Sequence, residues 1–138
     1  MQYDYTQCVV LNARMAARAV SRRYDRKLKP YGITAAQFGI MGVLARHGGE
    51  SVTGISERLA MDRTTASRNL DLLVRKGLAE TTEAEKGNVR ACKLTDKGQA
   101  LVDKLGPKWR EAQQELQTFL PDADLEKTLD TLKALAQL

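Results

Sequence analysis

The apolar positions of this chain recur at helical spacing over most of its length. Between residues 5 and 29, Val9, Ala13, Ala16, Ala17, Val20, Tyr24 and Leu28 return every three or four residues, with Arg14, Arg18, Arg22 and Arg26 off that stripe. The pattern predicts one long amphipathic helix that Pro30-Tyr31-Gly32 ends. Thr34 then caps a second helix, with Gln37 three residues on completing a capping box, and Phe38, Met41, Val43 and Leu44 as its apolar side. Thr53 caps a short helix over residues 54–60 whose inward residues are Ile55 and Leu59. A tight turn, Met61-Asp62-Arg63, leads into a helix over residues 64–76 with Ala66, Leu70, Leu73 and Val74 on one side. A short helix, a three-residue turn and a longer helix form a helix-turn-helix.

After Gly77 the period changes. Residues 78–83 and 89–94 read as strands, and Glu85-Lys86-Gly87-Asn88 between them supplies a tight turn, so a β-hairpin wing follows the helix-turn-helix directly. Thr95-Asp96 opens a further long helix that Gly106-Pro107 is expected to kink, and Pro121-Asp122 restarts a last helix carrying Leu125, Leu129, Leu132 and Leu135. The fold class is therefore mainly α with a small β-hairpin wing: a winged helix-turn-helix over residues 34–105, flanked by helical dimerisation regions over 1–33 and 106–138. The apolar stripes of those flanks exceed what a domain of this size covers alone, and a two-fold homodimer would bury them.

Charge sharpens the picture. The net charge is +5, but residues 1–76 hold 13 Lys and Arg against 6 Asp and Glu, whereas the remainder holds 9 against 11. The positive field belongs to the half with the helix-turn-helix, where it attracts phosphate. On a helical wheel Leu70 and Leu73 lie within about 40° of Ala66, while Thr64, Arg68 and Arg75 lie near the opposite side. The DNA-facing set is Arg63, Thr64, Thr65, Ser67, Arg68 and Arg75, joined from the wing by Lys86, Asn88 and Arg90. Residues at the start of such a helix reach base edges; arginine bonds guanine bidentately and a threonine methyl meets the thymine methyl.

With these motifs in place, the chain resembles the MarR (multiple antibiotic resistance regulator) family over nearly its full length. The matching stretches are residues 32–38, residues 55–60, residues 64–78 and Lys93-Leu94-Thr95-Asp96-Lys97-Gly98. The resemblance implies a dimer whose first, fifth and sixth helices interlock, binding a palindromic operator in double-stranded DNA as a repressor controlled by a small molecule or by oxidation. The family's wing tip commonly carries an Asp-x-Arg-like sequence where this chain has Lys86-Gly87-Asn88.

Other residues offer less. Cys8 and Cys92 lack metal-ligand spacing, and Cys92 alternates with Leu94 as a core position. Aligned with the hydroperoxide-sensing branch of the family, the reactive cysteine position falls on Val10, two residues from Cys8. His47 reads as a helix-end residue and Trp109 as packing. Tyr3, Tyr5, Tyr24 and Tyr31 are candidates to line a pocket for a small aromatic ligand. No catalytic constellation, metal set or cofactor motif stands out, so an enzyme is not expected. The N-terminus has no signal-peptide pattern and the default location is cytoplasmic. The alternatives are a winged-helix protein-interaction module without DNA binding, or an oxidant-sensing repressor using Cys8; Leu72 on the outward helix face leans towards the former.

Overall fold

The structure, a computed structural model, describes residues 4–83 and 90–137. It has six helices and one hairpin in the described residues: α1 (Val9–Leu28), α2 (Ala35–Arg46), α3 (Val52–Arg58), α4 (Arg63–Arg75), β1 (Ala79–Glu83), β2 (Arg90–Leu94), α5 (Asp96–Gln117) and α6 (Leu125–Ala136). The chain divides into two compact units, residues 1–38 and residues 39–138.

In the N-terminal unit α1 begins later than its apolar stripe suggests. Asp4 accepts from the Thr6 N–H at 2.9 Å and caps a separate 3-10 turn, Tyr5–Gln7. The α-helix starts only after Cys8, where the Asn12 amide ties back to the Thr6 and Cys8 carbonyls. A 3-10 turn, Lys29–Tyr31, follows α1, and Gly32 ends it at φ 74°, a left-handed conformation that costs glycine little. Thr34 and Gln37 form the reciprocal capping box at 3.2 Å each way, and the Asp25 carboxylate accepts from the Ala35 N–H at 2.7 Å. The first turn of α2 thus has three of its N–H and cap groups satisfied by side chains.

The C-terminal unit holds the helix-turn-helix and the hairpin. Its core includes Ile40, Met41, Ile55, Leu70, Leu73 and Cys92, all at most 2% exposed, each worth roughly 1.5–3 kcal/mol for a large aliphatic. Ser51 rather than Thr53 caps α3, accepting from the Gly54 N–H at 3.0 Å; Thr53 already lies inside the helix, where its carbonyl accepts from the Ser56 hydroxyl. The helix ends at Arg58, and Ala60 takes φ 50° to make the turn. Asp62 caps α4, so that helix begins at Arg63. Ala66, Leu70 and Leu73 are buried as the wheel requires, but Val74 is 37% exposed, because it stands about 80° round from Ala66, on the flank of the stripe.

The strands pair antiparallel from Ala79 opposite Leu94 to Glu83 opposite Arg90. Lys86 and Asn88 lie outside the described residues. A third, one-residue partner absent from the hydrophobic pattern is Glu50, which bridges to Cys92 on the other edge of β2. Helix α5 runs through Pro107 without a break. The chain then reverses through Asp122 and Ala123, both at positive φ, and Asp124 rather than Pro121-Asp122 caps α6 by accepting from the Lys127 N–H at 2.9 Å.

In this single chain Val9, Val10, Met15 and Val20 of α1 stay 41–66% exposed. So do Trp109 (44%), Phe119 (71%), Leu132 (54%) and Leu135 (41%). Trp109, expected as packing, is therefore open within one chain. No helix among the described residues is long and apolar enough to cross a membrane.

Candidate nucleic-acid interface

Helix α4 presents its N-terminal half through the Asp62 cap. The carboxylate accepts from the Thr65 N–H at 3.0 Å and from the Thr65 hydroxyl. The hydroxyl of Thr65 is thereby committed to the cap and the residue is half-buried, which leaves its methyl, not its oxygen, to meet a partner. Arg63, Thr64, Arg68 and Arg75 are exposed, and Ser67 is half-buried. Leu72 is half-buried too, so the outward face of α4 is less apolar than its sequence alone suggests.

The cap is electrostatically coupled to this face. The Thr65 hydroxyl and N–H, then the Thr64 N–H and the field of Arg68, hold the Asp62 carboxyl below the usual carboxylate range. A carboxyl lowered in the folded state contributes stability that is complete above its unfolded pKa, ~3.9, and is lost as pH falls through the lowered folded value. Asp62→Asn keeps a good capping side chain but removes the charge. It is expected to lower the urea midpoint at pH 7 and to converge on the parent protein in acid below the lowered folded value. A gap of equal size at both pH values would show that the charge is not responsible.

Beside α4 lies a cleft of about 490 Å³ walled by three elements. Arg63, Ser67 and Asp71 come from α4, Ser51 and Thr53 from the start of α3, and Thr81 and Arg90 from the hairpin. Three sequence-derived site residues, Arg63, Ser67 and Arg90, therefore share one concave surface. Arg75 closes the far end of α4, thirteen residues long, and does not line the cleft. Sequence reasoning missed Ser51, Thr53, Asp71 and Thr81; only the Ser51-x-x-Gly54 capping spacing hints at the first.

Next to Ser51, a cleft residue, lies a polar cluster that does not itself line the cleft. Glu50 Oε2 accepts from Arg58 Nε at 2.8 Å, Glu50 Oε1 accepts from the Ser51 N–H at 3.0 Å, and Arg58 Nη1 lies 3.2 Å from His47 Nε2. A guanidinium only donates, so Nε2 is the acceptor. The Arg58 hydrogen bond, then that of Ser51, holds the Glu50 carboxyl below its ordinary value, while burial pushes the Cys92 thiol up. Cys92 is fully buried, as its alternation predicts. Cys8 is half-buried at the N-cap of α1. Among the described residues no group of His, Cys, Asp or Glu is arranged to hold a metal ion.

A family model described as MarR family matches residues 31–87. The transcriptional regulator MosR of M. tuberculosis, solved in complex with DNA, is 30% identical with a TM-score of 0.84, and 95% of each chain is covered. MepR of S. aureus, also solved with DNA, is 26% identical with a TM-score of 0.79, covering 95% of this chain and 98% of that one. PcaV of Streptomyces coelicolor, solved with its natural ligand, has a TM-score of 0.82 over 99% of this chain and 97% of that one; at 20% identity it shows a likeness of fold. No curated protein matches the chain significantly.

Proposed function

This chain belongs to the MarR family of winged-helix transcriptional regulators, and from that membership we propose a homodimeric, cytoplasmic repressor that binds a palindromic operator and is released by a small molecule. The observation that carries the proposal is the convergence of the N-terminal half of α4 with the loop-side end of the hairpin, where Arg63, Ser67 and Arg90 border one cleft, while Arg68 is exposed on the same helix. In this reading the winged helix-turn-helix spans residues 34–105, and residues 1–33 and 106–138 form the dimer. Thr64 and Arg68 read base edges, helped by the Thr65 methyl. Arg63, Ser67 and Arg90 hold phosphates, because cations and a hydroxyl on a concave surface suit a backbone, and Arg75 adds an exposed cation at the far end of α4. Lys86 and Asn88 are assigned to the same DNA-contacting set from the sequence.

MosR and MepR were solved with DNA and PcaV with its natural ligand, and these support extending both kinds of partner to this chain. For the effector we propose a hollow of about 400 Å³ within the N-terminal unit, lined by Arg26, Lys29 and Thr34 and also by Asp25, where the two cations would suit a carboxylate. The related proteins act by binding, and no catalytic step enters the proposal.

Arg68→Ala tests base reading. If Arg68 contacts a base, the substitution costs roughly 1–3 kcal/mol on the matched operator and relaxes the preference at one base pair. Titrations on matched and singly mismatched duplexes should show the parent protein discriminating and the variant not. Equal losses on both duplexes would reduce Arg68 to a phosphate contact.

A further inference from the structure

We infer that Glu50 is a positioning residue for DNA binding: it sets the spacing between the helix-turn-helix and the wing, and so the placing of Arg90. The inference rests on the DNA-binding reading above and adds a residue that need not touch DNA.

Glu50 is held on both sides at once. Its backbone accepts from the Cys92 N–H at 2.8 Å, and the neighbouring Gly49 N–H donates to the Cys92 carbonyl at 2.8 Å, so the residue is a one-step third strand on β2. Its side chain turns the other way, onto α3. One carboxylate oxygen accepts from the N–H of Ser51, the residue that caps α3, and the other accepts from Arg58 at the last residue of that helix. The carboxylate is thus tied to both ends of α3, to the last of them through the side chain of Arg58, and Arg58 carries the link on to His47 after α2.

Gly54 shows that this placement has required room. A Cβ at Gly54 would lie 2.9 Å from Glu50 Cγ and closer still to the carboxylate. The side chain thus lies flat against the first turn of α3, where any other residue at 54 would expel it. Glycine inside a helix ordinarily costs about 1 kcal/mol relative to alanine. Here it leaves the berth for the carboxylate.

The other end of the strut leads to the cleft. Arg90 and Cys92 are two residues apart on β2 and point to the same face of the strand. Cys92 is fixed to Glu50, and Arg90 borders the same cleft as Ser51 and Thr53. Glu50 thereby joins the two walls of that cleft: α3, which leads into α4, and the hairpin. A charge-assisted bond to a guanidinium is directional as well as strong, which suits a spacer. Its loss would let the hairpin shift without unpairing β1 from β2.

The test is a double-mutant cycle on operator DNA with Glu50→Gln, Arg90→Ala and the pair, each checked for folding by far-UV circular dichroism. Glu50→Gln is expected to weaken operator binding about tenfold and to lower the slope of log affinity against log salt by about one, as if one phosphate contact were lost. In the Arg90→Ala background the same substitution should cost less than about twofold, because the contact it positions is already gone. Arg58→Lys, which keeps a donor and the charge, should retain most of the affinity. A purely structural role would lower the melting temperature in both backgrounds and leave the DNA affinity of the folded protein unchanged. That result, additive losses in the cycle, or an Arg90→Ala variant binding like the parent, would overturn the inference. A parent protein that ignores the operator would instead sink the functional reading, and this inference with it.

Discussion

Replacing Leu132 and Leu135 together by Asp is expected to give a folded monomer whose operator affinity is lower by roughly 10²–10⁴. The two leucines are 54% and 41% exposed in the single chain, three residues apart on α6. Neither supports the core of its own unit, so charges there should leave the chain folded. What they remove is a reason to associate: apolar surface of this kind is stabilised only when a second copy covers it, and a buried unpaired carboxylate is strongly disfavoured. The effect on DNA is large because a dimer binds two half-sites about 34 Å apart, and the second binding step is intramolecular. A monomer loses that advantage while every residue of α4 remains in place. Sedimentation equilibrium measures the association and a titration on full and half operators measures the consequence. The parent protein should prefer the full operator strongly and the variant should bind both alike. A variant that stays dimeric would move the interface away from this part of α6, and a monomer with undiminished affinity would remove dimerisation from the mechanism.

Much of this arrangement was legible beforehand, for reasons that differ from element to element. The Thr34–Gln37 box depends on two residues three apart, and nothing distant competes with it. The buried face of α4 follows from Ala66, Leu70 and Leu73, whose spacing matches a helical turn whatever packs on them. The hairpin was marked by alternation and by the glycine that ends α4, at φ 72°. Boundaries set by competing caps were harder. Ser51 and Thr53 are both good N-caps, and the backbone bridge at Glu50 decides between them by starting the helix early. Asp62 looked like part of a turn until its carboxylate was seen to cap α4. The reversal at Asp122 and Ala123 needs two consecutive positive φ values at residues other than glycine, for which no local pattern prepares the reader.

The candidate site divides in the same way. Exposed arginines on α4 were legible because exposure there is the complement of a clear buried stripe. The cleft was not, because it is built by three elements far apart in the chain, and Thr53, Asp71 and Thr81 carry no mark of convergence until the hairpin is placed. Glu50 is the extreme case. Its role requires a strand of one residue, an arginine eight positions later and a glycine whose value lies in the side chain it lacks.

A second glycine supports the largest stability effect expected of any single methyl in this chain. Gly98 is buried near the start of α5, and its N–H donates to the Thr95 cap at 3.1 Å. The Thr95 hydroxyl donates in turn to the Gly77 carbonyl at 2.6 Å, and the Thr95 N–H donates to the Leu78 carbonyl at 3.1 Å. Lys97 adds a bond to the Lys76 carbonyl at 3.0 Å. These bonds draw the first turn of α5 onto the chain leaving α4. A Cβ at Gly98 would run into the Leu78 carbonyl, 3.0 Å from its carbon and nearer still to its oxygen. The obstacle is backbone at the entry to β1, beside a leucine only 4% exposed, so it cannot swing aside as a side chain would. Gly98→Ala is therefore expected to destabilise by about 3 kcal/mol, the upper part of the range for overpacking, despite alanine's better helix propensity. The melting temperature should fall by roughly 10 °C. Gly42→Ala makes the control: that glycine is exposed within α2, a Cβ there meets nothing within 4 Å, and the gain should be up to about 1 kcal/mol. Thermal unfolding of both variants should thus move in opposite directions from the parent protein. A Gly98→Ala chain as stable as its parent would mean that the first turn of α5 can lift away from Leu78, and that the staple of Thr95 and Lys97 does not hold it.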